Sequence, residues 1–290
     1  MNTFFSDLKT TLGPNALKQL GRKMFEDDCF GLAGQLAYFV LFSLFPFLMV
    51  LVALMSLVVV DPEATLNTLT ESIEDFLPQD VVRLLTDYTD RTLRGAGSSV
   101  LLLGALTALW SGSGASYALI QASNRAYGLG ETRPVWKVWG ISLLMVLCFV
   151  LLIGVLAVGI FSPEAGDYLQ RLAGLPGSLL VLWDILSWTA LFITLTLIHA
   201  VLYYLAPNAD LPFKWITPGG LMATVLILVA SVTLNFYVTN LARYDQLYGS
   251  LTAIIMLILW LYVMGFMVII GIEINAVLAR VAEERKDNEK

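Results

Sequence analysis

Few side chains in this 290-residue sequence could do chemistry, and their spacing excludes most kinds of it. There is one histidine, His199, and only two cysteines, Cys29 and Cys148, which stand far apart. An ordinary zinc site needs several Cys, His or acidic ligands at characteristic spacings, so no metal site is expected. No Gly-x-Ser-x-Gly elbow occurs, and one imidazole leaves little room for a triad. The phosphate loop G-x-x-x-x-G-K-[ST] is also missing, so no nucleotide-driven pump and no cofactor are expected. What remains is a thin set of polar groups in or beside apolar runs: Gln35, Tyr38, Asn124, Arg133, His199, Glu273 and Asn275. At membrane depth such groups are costly and are functional candidates by default. Glu273 and His199 could exchange protons, and the Arg133 guanidinium could attract an anionic head group.

The elements that must position these groups follow from where charge is absent. The chain is 58% hydrophobic and only 14% charged, against about 25% charged in an average soluble domain. Its charges avoid six runs, residues 31–60, 95–124, 138–163, 185–209, 215–242 and 246–272, each 25 to 30 residues long. About 20 apolar residues as helix cross a bilayer core, so each run is long enough to span. The expected fold is an all-α membrane protein: six transmembrane helices, an N-terminal interfacial helix, and short amphipathic helices on the outer face. This excludes a soluble enzyme, a disordered chain and a disulfide scaffold. The net charge of −6 argues against nucleic acid as a partner. Membrane lipids are the expected partners, and small-residue faces on spans 2 and 6 permit a homo-oligomer without requiring one.

No composition shift or linker divides the chain, so residues 1–290 read as a single polytopic domain. No cleavable leader is expected, because the first apolar run starts late and is too long for one. The segments on the side of the termini carry 12 Lys and Arg, and the opposite loops carry 5. Both termini are therefore expected in the cytoplasm of a bacterial inner-membrane protein. Residues 1–30 read as an amphipathic lead-in, with Leu17, Leu20 and Met24 at helical spacing, or as a solvated approach to the first span. In 61–97, Asp61-Pro62-Glu63 is a helix start, and apolar positions at helical spacing continue past Pro78. Two helices lying on the outer surface are expected there. Ser162-Pro163-Glu164 starts another outer helix, and 280–290 is a charged cytoplasmic tail.

Within the spans, Ser43 and Pro46 mark a kink or break in the first. The small residues of 110–116 in the second read either as a tight helix crossing or as the lining of a polar cavity. Tyr203 and Tyr204 read as interfacial belt aromatics. His199 is either an interhelical hydrogen-bond donor or a proton carrier. Glu273 either pairs with Arg280 or titrates. His199 and Glu273 both fall about 10 Å inside the cytoplasmic boundary, so they could share one inward-facing cavity with the Pro218-Gly219 turn.

Several of these residues together resemble the YihY/BrkB family. Ala37-Tyr38 through Ser43-Leu44-Phe45-Pro46 is similar to its "AYY-x-L-x-SLFP" opening. Asn124-Arg125-Ala126-Tyr127-Gly128 and Glu131-Thr132-Arg133-Pro134 resemble its inner loop, and Pro207-Asn208 and Pro218-Gly219 its later turn. Leu247-Tyr248-Gly249-Ser250, Trp260-Leu261-Tyr262 and 271–276 resemble its last-span signature. The likeness covers about residues 20–280. It implies an inner-membrane protein of about six spans whose members have carried labels such as ribonuclease BN and serum-resistance protein. Moving envelope lipids has been entertained for that family. The expected function is a transporter or translocator of a lipid or lipid-linked envelope precursor. A non-transporting scaffold is the alternative, and a membrane-bound ribonuclease the weakest reading, since the metal-binding His/Asp cluster it needs is missing.

Overall fold

The computed structural model describes residues 14–58, 79–95, 98–160, 180–240 and 251–288. These residues form eight helices and, among them, no strand: α1 (Pro14–Glu26), α2 (Cys29–Val58), α3 (Gln79–Gly95), α4 (Ser98–Tyr127), α5 (Val135–Ile160), α6 (Leu180–Leu205), α7 (Pro218–Asn240) and α8 (Thr252–Asn288). Five of them contain stretches long and apolar enough to cross a membrane: Cys29–Leu48, Val135–Leu152, Trp188–Leu205, Pro218–Val238 and Thr252–Val281. The second charge-free run, 95–124, is helical too, as most of α4, but is not among those stretches. The outer helices expected from Asp61 and Ser162, and the Tyr248-Gly249 motif, lie outside the described residues.

The six long helices pack in a circuit, α2 on α4, α4 on α5, α5 on α6, α6 on α7, α7 on α8 and α8 back on α2, with α4 also touching α8. Glycines let the partners in. A Cβ on Gly114 would meet the Phe39 ring of α2 at 2.5 Å, and one on Gly112 would meet Val146 of α5 at 3.1 Å. The run 110–116 is therefore a two-sided helix crossing within the chain. Gly265 of α8 likewise admits Leu36 of α2. Pro46 does not break α2, which is continuous from Cys29 to Val58. Ser43 next to it turns its hydroxyl back onto the Val40 carbonyl at 3.0 Å.

The outer helix expected after Pro78 is present as α3, with its apolar face covered by other helices. Val81 and Val82 are buried with Ala37 of α2 and with Met256, Leu257 and Leu261 of α8. Further along, Tyr88 meets the Phe45 ring, centroids 5.0 Å apart. α3 thus stands beside α2, and its start is level with Met256–Leu261, in the first three turns of α8. Its apolar face found a better partner in the apolar flanks of α2 and α8 than in an interface plane.

Candidate functional site

The polar residues cluster where helices end. α4 stops at a Schellman turn: Gly128 has φ +69°, Gly128 N–H donates to the Arg125 carbonyl at 2.9 Å, and Leu129 N–H to the Asn124 carbonyl at 2.7 Å. The chain then bends through Glu131 and Arg133. Arg133 grips Glu131 with Nε at 2.8 Å and Nη2 at 2.7 Å, and its Nη2 also donates to the Ala206 carbonyl at 3.0 Å. Nη1 reaches the Leu205 carbonyl at 3.4 Å. The guanidinium therefore closes the C-terminal end of α6, where orphan carbonyls and the helix dipole favour a cation. Asn124 completes the junction: Nδ2 donates to Glu131 at 2.9 Å, and Oδ1 accepts from Asn208 N–H at 2.7 Å. Asn208 Nδ2 donates in turn to the Gly130 carbonyl and Thr132 Oγ1, both at 2.9 Å. The arginine holds the Glu131 carboxyl down to about 2. Arg280 repeats the device, its Nη2 donating to the Ala126 carbonyl near the end of α4.

The start of α7 is plugged from α8. Thr217 is the N-cap, accepting from Gly220 N–H at 3.0 Å, and Pro218 takes the first helical position. Asn275 supplies the rest: Oδ1 accepts from Gly219 N–H at 2.8 Å, and Nδ2 donates to Thr217 Oγ1 at 3.1 Å. A Cβ on Gly219 would run into the Gly271 carbonyl oxygen, so only glycine permits this approach of α7 to α8. Tyr203 from α6 locks the same crossing, its hydroxyl donating to the Val268 carbonyl at 2.7 Å. Tyr203 is buried and Tyr204 exposed. Of the two expected belt aromatics, only Tyr204 faces outward.

His199 is 2% exposed, with Nδ1 3.0 Å from Thr224 Oγ1. Thr224 gives its one hydroxyl proton to the Gly220 carbonyl at 2.9 Å, which leaves its oxygen to accept from the imidazole N–H. His199 thus ties α6 to α7. Glu273 faces another way. It is 1% exposed on the side of α8 that meets the start of α2, where Cys29 Sγ donates to its Oε1 at 3.5 Å. Its Oε2 is buried and has no hydrogen-bond partner. Among the described residues no cation lies within ion-pair distance of it. The α1–α2 turn positions Cys29: Asp28, at φ 54°, caps α2 by accepting from Gly31 N–H at 3.2 Å.

Over residues 20–290 the chain matches the family model described as Virulence factor BrkB. It belongs to the BrkB family. The putative ribonuclease-like protein YfkH of Bacillus subtilis is 32% identical over 248 residues, spanning 85% of this chain and 88% of the relative. A UPF0761 membrane protein of Alteromonas mediterranea is 27% identical over 271 residues, 90% of this chain and 86% of its own. One from Alkalilimnicola ehrlichii is 26% identical over 260 residues, and this chain spans 56% of its length. No solved structure matches. With its apolar helices, this BrkB-family chain is an integral membrane protein.

The structure of this BrkB-family protein separates residues that the sequence reading grouped. Asn124 and Arg133 meet through Glu131, and Asn275 meets the Pro218-Gly219 turn. His199 and Glu273 have no partner in common, because they contact α7 and α2 respectively. Tyr38 turns outward, 55% exposed, beside Phe39 and Phe42. Gln35 is half-buried on α2. Glu131, Asn208, Thr217, Thr224 and Cys29 were missed as partners. A Glu two residues before an Arg, next to a helix end, was the available signal for Glu131. Nothing in the sequence pointed from Cys29 to Glu273, 244 positions away. Among the described residues no three His, Cys, Asp or Glu side chains gather as a metal-binding group.

Proposed function

We propose that this protein moves a lipid or lipid-linked envelope precursor across a bacterial inner membrane, passively or coupled to an ion, with no nucleotide. In this reading α4 is the sixth span, α1 lies in the membrane interface, and both termini are cytoplasmic. Membrane lipids are its partners, and a homo-oligomer would use surfaces other than the glycines already filled within the chain. One observation carries the reading. Glu273 is a carboxyl inside an apolar helix bundle with one oxygen left without a partner. Buried polar groups are almost always satisfied. Of the four left without a partner among the described residues, Ser123, Thr252, Trp260 and Glu273, only Glu273 is ionisable. A carboxyl that can bind and release a proton or a cation, as the chain alternates between two arrangements, gives that group a role.

The test is reconstitution of the purified full chain in phosphatidylethanolamine/phosphatidylglycerol vesicles containing acyl-chain NBD-labelled phosphatidylethanolamine. Dithionite added outside should bleach well beyond the outer-leaflet half with the wild type, and only that half with Glu273→Gln. Bleaching by wild type no greater than in protein-free vesicles overturns the reading. RNA cleavage by the purified protein with added divalent metals would replace it with the ribonuclease one.

A further inference from the structure

The charged face of α3 remains without a role. Val81 and Val82 pin the start of the helix against Leu257 and Leu261 of α8. Leu261 is nine residues in from the Thr252 end of α8, roughly 14 Å at the rise of a helix. Tyr88 against Phe45 shows that α3 climbs from there alongside α2. Both neighbours lie in stretches apolar enough to span, and the first two turns of α3 are level with those stretches.

The face turned away from α2 and α8 is polar. Gln79, Arg83 and Asp87, one turn apart in succession, are all exposed. Among the described residues Arg83 and Asp87 make no ion pair, with each other or with anything else. Unpartnered charges at this depth need a polar companion. The surroundings of a membrane helix offer water or the head groups of lipids. A head group that carries both charges, unlike water, would meet the cation and the anion of this stripe with one molecule. Positions i and i+4 lie on one helix face about 5–6 Å apart, so a single head group with a phosphate and an ammonium could engage both.

We infer that the Gln79, Arg83 and Asp87 stripe of α3 is a head-group track for a zwitterionic phospholipid, in which Arg83 takes the phosphate and Asp87 the ammonium while the acyl chains stay in the bilayer. Arg suits the phosphate because its planar fork donates two hydrogen bonds to two oxygens at once. The inference rests on the translocation reading and names its substrate class, but its test is lipid binding rather than transport.

The full chain carrying Cys148→Ala and Gln79→Cys is labelled with bimane and placed in vesicles with doxyl-labelled lipids. Quenching should be strongest from a mid-chain doxyl group; strongest quenching from a head-group label would put α3 on the surface and overturn the inference. Retention of phosphatidylethanolamine, phosphatidylglycerol and diacylglycerol by the detergent-purified protein is then compared by native mass spectrometry. The wild type should retain phosphatidylethanolamine best. Arg83→Ala should lower retention of both phospholipids about tenfold and leave diacylglycerol unchanged. Asp87→Asn should abolish only the preference for phosphatidylethanolamine. Equal retention by wild type and Arg83→Ala overturns the track. Glu273→Gln should retain lipid like the wild type, so retention with no wild-type bleaching refutes translocation and leaves the track standing.

Discussion

Arg133 and Glu273 are both ionisable side chains withdrawn from water, and they are held in opposite ways. Arg133 sits at a helix end with its donors aimed at a carboxylate and two backbone carbonyls, and the acceptors around it are matched in turn by Asn124 and Asn208. Glu273 sits mid-helix with one thiol on one oxygen and nothing on the other. The first arrangement is what a structural staple looks like, because every group withdrawn from water has been given an equivalent. The second is what packing alone would not produce. The difference teaches that depth and charge alone do not mark a staple in this protein, whereas a complete set of hydrogen bonds does.

If the Arg133 junction is a staple, breaking it from one side should have the largest effect on stability. Arg133→Ala leaves the exposed Glu131 without its cation and the last carbonyls of α6 without their donor. The loss expected from hydrogen bonds made by a charged group is about 2 kcal/mol. It should appear as a lower unfolding midpoint in detergent for the α5–α6 end of the bundle. An unchanged midpoint would mean that the junction is decoration.

A smaller effect should follow from acid. Glu131 is held down to about 2 by its hydrogen bonds from Arg133, whereas in the unfolded chain it titrates near the ordinary carboxylate value of 4.5. Because the folded value is the lower one, the unfolded chain binds the proton first as pH falls. The junction's contribution is complete above about pH 4.5 and is lost progressively toward pH 2. Unfolding midpoints of the wild type should fall across that window, and Glu131→Gln should flatten that part of the curve. A parallel decline in the two proteins would assign the acid sensitivity elsewhere.

The two regions were not equally legible in the sequence. Helix content and the apolar stretches could be read because charge-free runs of this length have few other solutions. The ends could be read in part: Thr217-Pro218-Gly219 spells out a capped start, and Tyr127-Gly128 a glycine stop. Which distant residue completes each end could not. Asn275 and Arg133 look like any polar residue near an interface until the folded chain puts a helix terminus opposite them. Residue spacing in one helix also hides direction. Gly271, Glu273 and Asn275 are neighbours in sequence, yet two residues turn a helix by about 200°, so Asn275 and Gly271 meet α7 while Glu273 meets α2. His199 and Glu273, expected to share one cavity, have separate partners on α7 and α2. The partner of α3 was hidden for a related reason: an amphipathic pattern says that one face is apolar, not whether lipid or protein covers it.

Around Glu273 the stability effects should be slight, which is where the comparison is sharpened. Cys29→Ala removes the one donor to the carboxyl among the described residues and should lower stability by about 1 kcal/mol, the usual worth of one buried hydrogen bond. Cys29→Ser, which keeps a donor, should lose less. Cys29 is buried, so it should also resist maleimide until the protein unfolds.

Glu273→Gln is the limiting case. The amide is nearly the same size as the carboxyl and can still accept from Cys29, and its NH2 group occupies the place of an oxygen that had no partner to lose. Nothing that holds α8 against α2 is removed, so the unfolding midpoint should stay within the noise, or rise, because an ionisable group has left an apolar environment. Lipid bleaching in reconstituted vesicles should nevertheless fall to the protein-free level. A residue kept only for packing would move the midpoint and the activity together. If Glu273→Gln lowered the midpoint as Arg133→Ala does and left bleaching intact, the carboxyl would be a second staple, and the proton or cation site would have to be sought elsewhere in the bundle.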